Sequence, residues 1–432
     1  MNPDSAGNYS SSPVNAPVAE PIDPSPAARR LGLIVVTSLF FIWGFITVLN
    51  DILVPHLKSV FELSYLQASM IQFVFFGAYF IMSLPAGKVI ASIGYQRGMV
   101  LGLLTTGLGT LLFYPAAGYL SYPLFLMALF VLATGITILQ VAANPYISVL
   151  GNPETASSRL NLAQAFNSLG TTLAPWIGGG LILAQISVGT SRLAEAASVK
   201  APYLELTAIL VVLAIVLAVI KLPTLAAAEE DTTHPGTLWE ALKVPHLALG
   251  SLGIFLYVGA EVSIGSYLIN FMMDPDVAGY TKQTAAGYVS WYWFGAMVGR
   301  FIGSALLQKI SANRLLALNA TIAAILAVVG LLSYGPIAMW SVLAIGLFNS
   351  IMFPNIFTLG ISDLGHLTSR GSSILIMAIV GGAIVPTMMG RAADLFGIHH
   401  SLFIPALCYL YIIYYGLKGY RDNRVNNPAS PN

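Results

Sequence analysis

Charge is what this sequence most lacks. Only 9% of its 432 residues are Asp, Glu, Lys or Arg, where soluble domains carry roughly a quarter. A water-facing surface cannot be covered with so few ionised groups, so an ordinary soluble fold is excluded. Neither sign is in excess, with 19 basic and 18 acidic residues, and no basic stripe marks a nucleic-acid partner. Cysteine occurs once, at Cys408 in an apolar run, which excludes an internal disulfide and reads as a small packing residue. Residues 1–28 lack an apolar core and are rich in Ser, Pro, Ala and Asn. That excludes a cleaved signal peptide and reads as a disordered tail, as does 419–432.

What is abundant is apolar sequence, at 56% of the chain. A bilayer crossing needs roughly 20 apolar residues in helix. Twelve stretches qualify: Leu31–Val54, Leu66–Ala86, Met99–Leu120, Pro123–Val149, Leu162–Ile186 and Tyr203–Ile220, then Leu247–Met272, Ala285–Leu307, Leu315–Ser333, Ile337–Ile361, Ser372–Asp394 and Leu402–Leu417. Polar residues 221–246, with Glu229, Glu230 and Asp231, separate two groups of six. If the N-terminus is cytoplasmic, Arg29, Arg30, Lys88, Arg97, Arg159, Lys221, Lys243, Lys309, Arg314, Arg370, Lys418, Arg421 and Arg424 all fall inside. Only Lys58, Arg192, Lys200, Lys282 and Arg391 fall outside. The positive-inside bias therefore puts both termini in the cytoplasm and the chain in the inner membrane as a multi-pass protein.

The two groups repeat each other. Arg159, Gly170, Pro175 and Gly179 share their spacing with Arg370, Gly381, Pro386 and Gly390. Pro145-x-Ile147 with Leu150-Gly151 matches Pro354-x-Ile356 with Leu359-Gly360, which sets Gln140 opposite Asn349. The expectation is an all-α membrane protein of twelve transmembrane helices in two six-helix repeats, 29–220 and 247–418, joined by a cytoplasmic linker at 221–246. Parallel six-helix repeats are the plan of a major-facilitator transporter, with its solute path between the halves near the bilayer midplane. The superfamily's loop motif is degenerate here: the run from Gly87 through Gly94 to Arg97 has Ala91 where an aspartate is usual.

Charges at membrane depth cost about 2.5–3.5 kcal/mol each on insertion scales and so call for a reason. Asp51, Glu261 and Arg300 are the three that stand out. A carboxyl group whose neutralisation follows cation supply is the chemistry of a symporter. Asp51 and Glu261 are therefore the candidates for cation coupling, against the plainer reading of a polar interface and an assembly ion pair. Arg300 reads as structural, snorkelling or bonding helix-end carbonyls. Gln140 with Asn144 and Gln164 with Asn167 share helix faces, and Gln72 and Asn349 lie in the second and tenth spans. Amides donate and accept, which suits the hydroxyls of a neutral sugar; the plainer reading is interhelical glue. Trp43, Phe75, Phe76, Tyr79, Trp291, Tyr292 and Trp293 add rings inside spans, mostly for packing, with one or two able to stack on a pyranose.

Asn50-Asp51-Ile-Leu-Val-Pro55, Ile71-Gln72 with Gly77-Ala-Tyr79-Phe80, Ala142-Ala-Asn144-Pro145, and Arg159-Leu-Asn-Leu-Ala-Gln164-Ala-Phe-Asn167-Ser168 form a set of local motifs. Together they resemble the fucose–galactose–glucose symporter family. Phe353-Pro354 to Gly360, Gly371-Ser-Ser373 and Gly381-Gly382 extend the similarity through nearly the whole membrane region. Tyr257-Val-Gly-Ala-Glu261-Val-Ser-Ile-Gly265 is closer to the glucose/galactose branch than to the fucose branch. The resemblance implies a major-facilitator fold and proton-driven sugar uptake. In the fucose branch an aspartate in the first span and a glutamate in the fourth serve coupling and recognition. Asp51 matches the first, but Gln140 holds the second place and an amide cannot carry a proton. Coupling then falls to Asp51 alone, to Glu261, or to Na⁺ in place of H⁺.

The expectation is a symporter for a glucose- or galactose-like hexose, working as a monomer with H⁺, or alternatively Na⁺, and with no cofactor, metal or catalytic residue. Fucose, mannose and N-acetylglucosamine stay open as substrates. An enzyme would need a nucleophile or an acid–base or metal cluster, and adjacent His399 and His400 do not form one. A sugar receptor would carry a soluble signalling domain. An uncoupled facilitator differs only in whether uptake survives collapse of the ion gradient.

Overall fold

The computed structural model describes residues 25–60, 65–183, 200–223 and 237–421, with side chains described for 25–48, 70–174, 200–223 and 237–421. The first six crossings are α1 (Pro26–Val60), α2 (Tyr65–Ile93), α3 (Tyr95–Gly118), α4 (Tyr122–Val149), α5 (Ala156–Leu183) and α6 (Lys200–Val219). A short helix α7 (Leu238–Leu242) precedes α8 (Pro245–Met273), α9 (Lys282–Leu306) and α10 (Ala312–Leu332). The last three crossings are α11 (Gly335–Asn349) running into α12 (Met352–Ile361), α13 (Thr368–Met377) running into α14 (Gly381–Phe396), and α15 (Phe403–Tyr414) with a closing π turn. Only helices satisfy their own backbone groups inside hydrocarbon, which is why every crossing is helical. Among the described residues, ten segments are apolar and long enough to span on those criteria alone. The remaining two crossings are α5 and α9, which carry the amides Gln164 and Asn167 and the charge of Arg300.

Helix extends into both the tail and the linker read from the sequence. α1 opens at Pro26, inside the stretch read as tail, since proline at a helix start loses no hydrogen bond. The linker contains α7, closed at its N-terminus by a capping box: Thr237 Oγ1 accepts from Glu240 N at 3.2 Å, and Glu240 Oε2 accepts from Thr237 N at 3.0 Å. Glu229, Glu230 and Asp231 lie outside the described residues.

Each half is a bundle. In the first, α3 lies between α4 and α6, α1 along α5, and α2 against α4; in the second, α10 lies along α11 and α15, α14 along α8, and α9 along α11. The halves meet through α2 with α13 and through α5 with α9. Close approach there depends on small residues. A Cβ on Gly382 would stand 2.8 Å from the Phe76 ring, and one on Gly87 would collide with the Ser373 side chain.

Prolines at matched positions shape the fourth and tenth crossings. A proline removes the hydrogen bond to the carbonyl four residues back. Pro145 thereby frees the Val141 carbonyl and Pro354 that of Ser350. The tenth crossing breaks at Ser350–Ile351, between α11 and α12. Both freed carbonyls are met by side chains: Ser372 Oγ donates to Val141 O at 3.0 Å and Arg300 Nε to Ser350 O at 3.2 Å. The repeats are not identical elsewhere. Arg159 caps the end of α4, donating to the Ile147 carbonyl at 3.1 Å and to that of Ser148 at 2.5 Å, whereas Nε of its mate Arg370 is buried without a partner among the described residues.

Candidate functional site

The halves are joined by hydrogen bonds near one membrane face, the face where α1 begins and α4 ends. There Ser157 Oγ and Thr358 Oγ1 are 2.5 Å apart, Ser158 Oγ donates to Ser304 O at 2.7 Å, and Asn161 Nδ2 donates to Asn355 Oδ1 at 2.9 Å. Ser372 adds its bond to Val141 from the other side of the seam. Toward the opposite end of α2, Gln72 is exposed one turn from Phe76 on the same face. Among the described residues no hydrogen bond joins the halves beyond that of Thr172 Oγ1 to Met297 Sδ at 3.7 Å, and the space between the halves on that side is the cleft.

At mid-depth the cleft is floored by amides with defined partners. Gln140 Nε2 donates to the Tyr79 hydroxyl at 2.7 Å. Tyr79 in turn packs with Phe75 and Phe76, its ring centroid 5.5 Å and 6.4 Å from theirs. The second half repeats this arrangement, with Asn349 Nδ2 donating to the Tyr292 hydroxyl at 2.9 Å. One turn from Gln140, the Asn144 side chain is fully buried, and neither of its amide atoms has a partner among the described residues. Asn167 Nδ2 donates to the Phe40 carbonyl at 2.9 Å and so ties α5 to α1. The side-chain amide of Gln164 makes no hydrogen bond among the described residues. Trp291 and Trp293 are 59% and 42% exposed, while Tyr292 between them is buried.

Charge enters from the second half. Glu261 of α8 accepts from the Tyr257 hydroxyl at 2.7 Å, and the same oxygen stands 3.9 Å from Arg300 Nη2. The two charged side chains are 14% and 13% exposed, so the pair borders the cleft without being sealed. Arg300 also reaches the first half, where Nη1 donates to the Ser168 hydroxyl and, at 3.4 Å, to the Gln164 carbonyl. Arg300 bonds a helix-end carbonyl, Ser350, as the sequence suggested; its partners across the seam were not foreseen. No signal in one sequence sets α5 against α9, and the contacting residues are 132 and 136 positions apart.

Of the residues singled out in the sequence, Gln140, Asn144, Gln164, Asn167 and Asn349 are all buried and Gln72 is exposed, while Arg300 links Glu261 to the backbone of Gln164. Asp51 is in the helical part of α1, but its side chain lies outside the described residues, as does that of Pro175. No group of three or more metal-ligating side chains occurs among the described residues.

Residues 32–387 match the family model described as the Major Facilitator Superfamily. A protein of Brucella abortus named as a glucose/galactose transporter is 57% identical over 385 residues, covering 89% of this chain and 92% of its own. The L-fucose-proton symporter of Escherichia coli K12 is 35% identical, over 87% of this chain and 90% of that protein. Among solved structures, the transporter FucP in its outward conformation superposes with a TM-score of 0.84 at 34% identity, covering 90% of this chain and 99% of that one.

Proposed function

The chain belongs to the major facilitator superfamily, and on that footing we propose that it imports a neutral hexose of the glucose/galactose kind by symport with H⁺. One observation carries the reading. The cleft between the halves is lined at mid-depth by uncharged amides, and its two described charges, Glu261 and Arg300, compensate each other. Among the described residues a charged solute would find no unpaired countercharge, whereas sugar hydroxyls find donors and acceptors. Gln140, held by Tyr79, and the unengaged Gln164 amide are the primary sugar contacts in this proposal. Gln72 meets the sugar on entry, and Asn144, Asn167 and Asn349 support the floor.

Asp51 and Glu261 are assigned to the coupling cation. Gln140 stands where the fucose branch has its second acid, which moves that duty to Glu261, beside the cleft and already paired with an arginine. The positive-inside bias favours the cytoplasmic side of the inner membrane for the seam face and both termini in this reading. The state described is then open to the outside, and transport requires the seam to part while the outer ends close. All twelve crossings and the cleft belong to one chain, which supports a monomer as the working unit.

Radiolabelled glucose uptake in proteoliposomes, with pH and Na⁺ gradients imposed separately, tests the proposal. Accumulation under the pH gradient alone is expected. Accumulation under Na⁺ alone would reassign the ion, and accumulation under neither would end the symport reading.

A further inference from the structure

We propose that Arg300 is the positioning residue through which the charge on Glu261 acts on the seam, holding the halves closed against passage of the cation without sugar. The inference rests on Glu261 taking the coupling cation. Its starting point is the way one guanidinium is divided. Nε is fixed to the second half by the Ser350 carbonyl, which Pro354 has freed from its helix. Nη1 crosses to the first half, to the Ser168 hydroxyl and the Gln164 carbonyl. Nη2 faces Glu261 at 3.9 Å. One side chain therefore touches the acid, the kinked tenth crossing and the partner half together.

Arginine stays charged inside proteins, so a change in this cluster must come from the carboxyl side. Tyr257 from the same helix faces that carboxyl, with Arg300 and Tyr292 from α9 and Tyr409 from α15 beside it. Arg300 is the only cation among these. With Glu261 ionised, the pair is neutral as a whole, and the guanidinium is compensated within its own half. A cation arriving at Glu261 cancels that compensation. Arg300 is then an unbalanced charge at membrane depth, which is costly unless hydrogen-bond acceptors surround it. Gln164 and Ser168 of α5 supply those acceptors only while the seam is shut. The cation-loaded, sugar-free carrier is therefore held closed. Sugar taken by the Gln164 side chain engages the same turn of α5 whose carbonyl Arg300 holds, and so is placed to release it. Leak is suppressed in one state and passage permitted in the next, from a single residue that need not touch the sugar.

Three readings on proteoliposomes separate this role from a structural one: gradient-driven accumulation, zero-gradient counterflow, and entry of the driving cation without sugar, followed with a trapped indicator dye. Loss of charge-assisted bonds of this kind corresponds to about tenfold in an equilibrium. For Arg300→Gln the expected result is counterflow within about threefold of wild type, accumulation reduced about tenfold and sugar-free cation entry raised about tenfold. Ser168→Ala, which removes one acceptor and leaves the ion pair, should shift accumulation and leak the same way by a smaller factor. It decides the matter if Arg300→Gln fails to insert. Equal loss of counterflow and accumulation in Arg300→Gln, with Ser168→Ala behaving as wild type, overturns the proposal in favour of a packing role. Wild-type leak in a Ser168→Ala and Arg300→Gln pair that fold normally also overturns it. Failure of the wild-type protein to accumulate sugar under any gradient would instead remove the symport reading beneath it.

Discussion

The Ser372 hydroxyl donates to the Val141 carbonyl at 3.0 Å, and in doing so binds the second half of the molecule to the first. The carbonyl is available because Pro145 has no N–H to offer it, so a kink in one half becomes an acceptor for the other. A buried carbonyl left unmet costs about 1–3 kcal/mol. The bond therefore favours the closed seam by a sizeable margin.

Ser372→Ala should loosen that closure by about 1–2 kcal/mol, roughly a five- to thirtyfold shift toward the state in which the seam is parted. Thiol labelling reports it. With Cys408→Ser as background, Ser369→Cys places a reporter at a buried position of the seam. Labelling from the cytoplasmic side should then be at least fivefold faster when Ser372 is Ala. Unchanged labelling would show that Val141 is met by another donor.

Pro354→Ala tests the matching acceptor. The new N–H can bond the Ser350 carbonyl within the helix, in competition with Arg300 Nε, and the break between α11 and α12 should close. Removing a helix-interior proline is worth up to about 3 kcal/mol of helix stability. Thermal stability should hold or rise while counterflow slows at least fivefold, on the same energy scale. A fall in stability with normal transport would mean that the kink serves folding alone.

Two amides on one face of α5 should behave differently. Gln164→Ala removes an unengaged amide at the cleft and is expected to raise half-saturation for the sugar about tenfold, with little change in melting temperature. Asn167→Ala removes the bond to the Phe40 carbonyl between α5 and α1. It should lower the melting temperature by about 2–4 °C, the shift that follows from losing about 1 kcal/mol. Half-saturation and melting curves for the two variants give the comparison directly, and a reversal of the two effects would exchange their roles.

That contrast shows how far the sequence could be read. Ten crossings follow from apolar length alone, α5 and α9 being the more polar pair, and the duplication follows from arginine and proline at matched offsets, because those residues are scarce in this chain. The family features survive in Arg159–Ser168 and Gly371–Ser373 for the same reason: they are local in sequence. The division of labour within the amide set is not local. Gln140 and Asn349 each find a tyrosine in another crossing, at separations of 61 and 57 residues. Asn167 finds a backbone carbonyl 127 residues away. Helical periodicity shows which residues share a face, but not which neighbouring helix that face meets or in what register. Arg300 illustrates the limit, since snorkelling and helix-end bonding are local readings while its reach to Ser168 depends on how two bundles dock.

Gly382→Ala should interfere where the halves touch at mid-depth. Its Cβ would lie 2.8 Å from two atoms of the Phe76 ring and 3.2 Å from Val258 Cγ1. Overpacking of this kind costs about 1–3 kcal/mol, so counterflow should slow by about tenfold or more. Shortening the ring as Phe76→Leu in the same chain should recover part of the rate. If Gly382→Ala transports normally, the contact is not one the halves must keep as they move.

Phe76 on Gly382 and the polar bonds of the seam differ in kind, and the difference sets how the molecule can move. A ring lying on bare backbone has no preferred partner atom, so it can roll by an ångström or two while its dispersion energy changes little. The bonds at Ser157, Ser158, Asn161 and Ser372 are directional and lose most of their strength over the same displacement. The ring and the glycine therefore act as a fulcrum that stays loaded throughout the stroke, and the hydroxyls and amides act as a clasp that is either fastened or undone. With the resistance concentrated in the clasp, the barrier to each stroke should be largely enthalpic, and turnover should rise steeply with temperature.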